Sequence, residues 1–340
     1  MSGSEAAGQA AYSIGGATDS EPSTSATASS TTGGNATLTD SIATGGAAIA
    51  TGGATATDVA PLCATYAKPI VTGRLFAEAS GISGIVASRD QPGVMYIHSD
   101  RQKILYAIDS TGALLGQWEL SNGSQFFYTY NWEDISIESV PNGPDKLWVG
   151  DIGNNYVRGG GDPRTSIKIM SISEPTVTPG QAVQGKVTLI DNLEYTYPDA
   201  LHDAEGMAMD PLTGDLYVFA KEETAPAKIF RAPSPLKGGV FEEIGTVNIA
   251  WANGADFSPS GRELLVRNYS SVYYWTLPSG MTWLEALKSP PNKESRLQYT
   301  EGYYGEALAF GADAAGFYVV SEQDDGMAPS PVEYYAKTCK

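Results

Sequence analysis

Ser80, Glu133, Glu205 and Glu306 stand at one place in a segment that recurs along the chain, with Ala255 in the remaining copy. Carboxylates and a hydroxyl brought to one point are the hard, oxygen-only donors that an alkaline-earth ion takes. At about 5 Å and an effective dielectric near 20, each pair of ionised carboxylates repels by about 3 kcal/mol, so such a group requires protons or a cation. Calcium fits best, because it accepts roughly six to eight oxygens without strict geometry, and water or backbone carbonyls fill the gap at Ala255. Magnesium demands tighter octahedral geometry. Zinc favours His or Cys, and neither His98 nor His202 falls on the aligned position. In the competing arrangement the glutamates face a solvent channel or pair with Arg74, Arg262 or Lys221.

A second set of polar residues closes the strands that follow: His98-Ser99-Asp100-Arg101, Asp151 with Asn154, Asn155 and Arg158, Lys221-Glu222, Arg267-Asn268 and Ser321-Glu322. Acids and bases around a metal form a pocket for a small polar or anionic ligand, a glycan or a protein. Used catalytically, they suit hydrolysis of a phosphoester or phosphoanhydride. The ion would polarise a phosphoryl oxygen, Arg101, Lys221 and Arg267 would neutralise developing charge, and Asp100 or Asp151 would accept a proton, with His98 as the alternative base. Used for binding, the aromatic clusters Phe126 to Tyr130, Tyr273 to Trp275 and Tyr303-Tyr304 offer faces on which sugars stack. A Ser-His-Asp hydrolase is disfavoured, since no Gly-x-Ser-x-Gly elbow occurs, and no complete Gly-x-x-x-x-Gly-Lys-Ser/Thr phosphate loop is present, Val187 following the Gly180 to Lys186 stretch that has the spacing.

The elements that must position these residues are strands. Each copy of the repeat opens with a short apolar strand, as in Trp132-Glu133-Asp134-Ile135, Ala204-Glu205-Gly206-Met207 and Gly305-Glu306-Ala307-Leu308. An aromatic-rich second strand follows, as in Lys146-Leu147-Trp148-Val149 and Leu216-Tyr217-Val218-Phe219, and then a third. Asp210-Pro211-Leu212-Thr213-Gly214 and Ser258-Pro259-Ser260-Gly261 supply hairpin chemistry. Five copies predict an all-β fold, a β-propeller of five four-stranded blades. One interval, Glu133 to Glu205, is longer than the rest and is read as an elongated outer hairpin on the second blade, with a sixth, degenerate blade as the alternative. A strand at about Pro69 to Ala77 should complete the last blade beside Tyr334 to Cys339. A Cys63 to Cys339 disulfide would lock that closure.

Composition bounds the partners. The chain has 340 residues, 38 Gly, 20 Pro and 19 Tyr, and its formal net charge of -18 repels phosphate backbones, which excludes nucleic acid and disfavours anionic membrane. No apolar run is long enough for a transmembrane segment. Residues 1–60 are Ser/Thr/Ala/Gly-rich without Lys or Arg and read as a disordered stalk without a secretory signal, ahead of a propeller over residues 61–340. Two cysteines at the extremes of the folded part, favoured as a disulfide over a reduced pair, point to a secreted or surface-tethered protein, extracellular or periplasmic.

The chain resembles the soluble calcium-activated nucleotidases (apyrases), which are five-bladed calcium-binding propellers. The likeness rests on Ser80, Glu133, Glu205 and Glu306 on matching blades, on Asp100-Arg101 ahead of the strand Ile104 to Ile108, and on Val149-Gly150-Asp151-Ile152-Gly153. It implies a central calcium held by a Ser and several Glu, and nucleotide hydrolysis. Two departures bear on that activity: Ala255 stands where the family supplies a hydroxyl, and Lys221-Glu222 replaces the third blade's basic pair. The Trp132-Glu133-Asp134, Gly150-Asp151-Ile152-Gly153-Asn154-Asn155 and His202-Asp203-Ala204-Glu205 segments also look like uncharacterised secreted bacterial propellers grouped with phytase-like and esterase-like hydrolases. Since the rim departs from the apyrases more than the metal ring does, a calcium-binding scaffold or ligand-binding module is the expected role, with a calcium-dependent hydrolase as the alternative.

Overall fold

The computed structural model describes residues 64–338 except 101, 125–128, 155–163, 179, 181, 299, 301 and 324–325. Residues 1–60, expected to be disordered, and the pair Cys63 and Cys339 lie outside the described residues.

Five sheets, each built on an antiparallel meander, make a five-bladed β-propeller. Blade one runs Ile82–Ala87, Met95–Ser99, Ile104–Ile108, Leu114–Ser121, and blade two Trp132–Glu138, Lys146–Asp151, Ile167–Ser173, Asp191–Thr196. Blade three is Ala204–Met209, Leu216–Ala220, Ala227–Ala232, Glu242–Val247, and blade four Gly254–Phe257, Glu263–Arg267, Ser271–Thr276, Lys293–Arg296. Blade five begins with Tyr303–Phe310, Gly316–Gln323 and Pro331–Ala336 and takes its fourth strand, Ile70–Arg74, from the start of the described chain. The expected closure is therefore present. Its pairing continues outward through Tyr66 opposite Lys337 and the Thr338 N–H donated to the Thr65 carbonyl at 2.9 Å.

The long interval has a different cause from the outer hairpin expected there. Asp191–Thr196 is the fourth strand of blade two, but Val183–Thr188 crosses to blade one and runs parallel to Leu114–Ser121. Val183 and Val187 alternate on the face that packs against the core between blades one and two, so the crossing strand covers apolar surface and an open edge together. No sixth sheet forms among the described residues.

Every inner strand is buried along its length except the half-buried end of Trp132–Glu138 and the exposed Tyr304, so apolar residues on both faces serve the joints between blades. Five apolar clusters fill the five joints. Trp118 and Trp132 sit between blades one and two, and Phe257, Trp275 and Trp283 between three and four. Burying each such side chain is worth roughly 1.5–3 kcal/mol, which makes the joints the main store of stability. At the axis the Asp134 carboxylate accepts the N–H groups of Met207 in blade three (2.8 Å) and Ala255 in blade four (3.1 Å). Asp256 accepts that of Phe310 in blade five at 2.8 Å. These bonds fix the register between inner strands, and with it the level at which their first residues meet. No described helix is long and apolar enough to cross a membrane.

Candidate metal centre at the channel mouth

Four inner strands carry a β-bulge near their start, between Ile82 and Gly84, Trp132 and Asp134, Ala204 and Gly206, and Gly305 and Ala307. The extra residue in each is Ser83, Glu133, Glu205 or Glu306. A bulge leaves one residue out of the ladder and re-aims its side chain. Counting five residues back from the hairpin turn at Ser88, Glu138, Asp210, Ser258 or Gly311 reaches the same four positions, and reaches Asn253 in blade four. Three glutamates thus stand in register as expected. The hydroxyl in register is Ser83 and not Ser80, which is exposed ahead of the strand. The fourth-blade residue is the amide Asn253 and not Ala255, which is 1% exposed and packed in the core between blades three and four.

All five ring residues are buried, Glu306 being the most exposed at 8%. Ser83 Oγ donates to Glu133 Oε2 at 2.9 Å. Lys221, at the end of the second strand of blade three, brings its ammonium onto Glu205, within 3.9 Å of Glu306 Oε1 and 5.1 Å from the centre of the Tyr269 ring. Gly153 lies so close to Glu133 that a Cβ there would overlap Oε1. Burial, with Glu205 and Glu306 nearby, pushes Glu133 well above the usual carboxylate range, and burial with Glu205 pushes Glu306 up to about 8. Burial alone would lower Lys221, but Glu205 and Glu306 outweigh it and hold the ammonium charged. Three carboxylates against one ammonium leave two negative charges at the hub when all are ionised.

Two further side chains at this mouth have unmet hydrogen-bonding capacity. Asn253 donates Nδ2 to the Gly305 carbonyl at 3.0 Å, while its Oδ1 is buried without a partner. Asn154, next to Gly153, donates its backbone N–H to Asp203 Oδ1 at 2.6 Å, and neither side-chain amide atom has a partner. Buried polar atoms in that condition cost about 1–3 kcal/mol each unless water, an ion or a ligand meets them. The oxygen-only donor set, its residual charge and these amides suit a hard divalent cation. Its spacing is wider than a coordination sphere. Among the described residues, the only acidic group whose ligand oxygens all lie within 4.8 Å is Asp90, Asp145 and Glu174. That trio lies by the first turns of blades one and two, at the opposite end of the channel, where the Ser88 hydroxyl, Gln91 Nε2 and the Val140 N–H already bond its carboxylates.

The rim residues proposed for catalysis are mostly occupied or out of reach. Asp151 is buried, receives the Arg164 guanidinium at 2.9 Å, and accepts the N–H groups of Tyr130 and Asn131. His98 is buried edge-on to Trp132, and burial lowers its pKa to about 4, so it stays neutral inside the joint. Arg267 is 1% exposed and donates to the carbonyls of Asn268 and Ala307, with burial lowering it to about 10. Lys221 is engaged by the ring glutamates Glu205 and Glu306. Asp100 is half-buried and close enough to Glu306 to raise it, together with Glu322. Arg101, Asn155 and Arg158 lie outside the described residues, as do Phe126 to Tyr128 of the aromatic clusters. Tyr274 and Trp275 are core residues, whereas Tyr130 and Tyr304 are exposed. Reading by type placed Asn154 on the rim but missed Arg164, Ser83 and Asn253. Turn-anchored counting would have found the last two.

A closed ring of five blades with an acidic, partly neutralised hub defines the class: the chain is a five-bladed β-propeller. No protein-family model matches it, and no curated protein matches it significantly. Among solved structures it is similar to a PQQ-bound aldose sugar dehydrogenase from Streptomyces coelicolor (9% identity, TM-score 0.46, covering 81% of this chain and 99% of that one). It is also similar to a gluconolactonase from Xanthomonas campestris (10%, 0.44, 79% and 89%). The chemistry in those names belongs to those proteins.

Proposed function

We propose that this propeller is a calcium-binding, ligand-binding module whose hub takes one Ca2+ among Ser83, Glu133, Glu205, Asn253 and Glu306. The observation that carries this reading is three buried carboxylates from three blades facing a single ammonium, beside two buried amides with unmet oxygens. Bound there, the ion would supply positive charge joining blades that otherwise repel at the axis, and would leave a polar face toward the mouth for a glycan or protein. The exposed Tyr130 and Tyr304 flank that side and suit sugar stacking. A secreted or surface-tethered setting, where calcium is abundant, accords with this role.

The decisive measurement is calorimetric titration of chelator-stripped protein with Ca2+. One site per chain is expected, lost in Glu133→Gln and Glu205→Gln, with a melting temperature that falls on chelation. Flat heats together with unchanged melting would overturn the reading.

Calcium-dependent phosphoester hydrolysis, which the apyrase resemblance implies, has less support. Of its three neutralising cations, Lys221 is engaged by the ring and Arg267 by backbone carbonyls, and of its bases Asp151 is held by Arg164. Turnover of nucleotides by the calcium-loaded protein that vanishes in Glu133→Gln would restore it.

A further inference from the structure

We infer that Lys221 is a tethered competitor for the hub: its ammonium holds the place between Glu205 and Glu306 that a divalent cation must take. This rests on the calcium reading above and concerns how that site is regulated. The ammonium touches Glu205 and stands 3.9 Å from Glu306, so it occupies carboxylates of blades three and five at once. Glu133 is not part of that pairing and is held instead by the Ser83 hydroxyl on the opposite side of the ring.

Glu205 is bonded to the lysine nitrogen and Glu306 stands 3.9 Å from it, so the ammonium fills the gap that a calcium ion, gathering all three glutamates at about 2.3–2.6 Å, would need. Coordination by all three therefore requires the ammonium to leave. A secondary seat lies beside it, since the nitrogen is already over the face of Tyr269 at 5.1 Å, and an aromatic face retains a displaced cation. The hub consequently exchanges one cation for another: a fixed single charge when divalent ions are scarce, a mobile double charge when they are plentiful. Its affinity for Ca2+ is set low by a residue that never coordinates the ion.

The test titrates Ca2+ into the unaltered protein, Lys221→Met and Lys221→Arg by calorimetry. Lys221→Met should bind at least tenfold more tightly than the unaltered chain, while Lys221→Arg, which keeps the charge, should stay within about threefold. A measurement on the unaltered protein covers the case in which Lys221→Met fails to fold: acetic anhydride labelling of Lys221, read by mass spectrometry, should rise on adding Ca2+. Equal or weaker binding by Lys221→Met, or labelling unchanged while calcium binds, would overturn the competitor role and leave the calcium site standing. Absence of calcium binding in every form would overturn both.

Discussion

At the scale of single residues the hub and the joint behind it respond oppositely to pH. Glu306 binds its proton up to about 8 in the folded protein against an ordinary 4.5, because burial and Glu205 disfavour its charge. Between those values the folded chain keeps a proton that the unfolded chain has lost, so the metal-free protein should lose stability as pH rises from about 4.5 through 8. His98 acts at the acid end. Lowered by burial to about 4 from 6.5, it contributes stability that is present above 6.5 and lost as pH falls toward 4. Melting curves from pH 4 to 9 in chelator should therefore peak on the acid side of neutrality. In calcium, which replaces the proton, the gain in melting temperature should widen with pH, and a gain independent of pH would count against this account. Asp134 gives a separate prediction. Its carboxylate accepts three backbone N–H groups, from Ile135, Met207 and Ala255, so Asp134→Ala should cost about 3 kcal/mol or more in urea unfolding.

Strands show where the sequence was legible and where it was not. The repeat, the number of blades and the glutamates that three blades bring to the hub could all be read from alternation and turn chemistry. Ser83 and Asn253 could not be found by matching residue types, because a bulge shifts one residue without any compositional mark, and because Asn departs from the acid sought. The crossing of Val183–Thr188 into blade one was hidden for another reason: pattern reveals that a segment is a strand, whereas its neighbour depends on which edge lies open. Equivalent glycines in two inner strands differ in the room they leave for a side chain. A Cβ at Gly254 would overlap the Glu306 carbonyl and crowd Arg267, whereas at Gly206 the nearest atoms lie 3.4 Å away. Gly254→Ala should accordingly cost about 3 kcal/mol or more, and Gly206→Ala less than about 1 kcal/mol, compared by denaturant midpoints.

For the whole molecule the governing fact is closure. Ile70–Arg74 completes blade five, and Thr65 and Thr338, two residues after Cys63 and one before Cys339 in the sequence, are joined by a backbone hydrogen bond. We therefore expect non-reducing peptide mapping to recover Cys63 linked to Cys339, and Cys63→Ser to lower stability by about 2–4 kcal/mol, since the bridge would close a loop of nearly the whole folded chain. Two free thiols in the native protein would refute that link.

Val183–Thr188 makes one boundary between blades the most extensively stitched, with six parallel pairs against the two that Gly239–Val240 makes with Tyr195 and Thr196 at the next. Blade two lends blade one its outermost strand, so prying these two apart means stripping a run of parallel pairing as well as parting greasy faces. Under a pulling force or a nicking protease, damage should begin elsewhere round the circle and reach this buckle last.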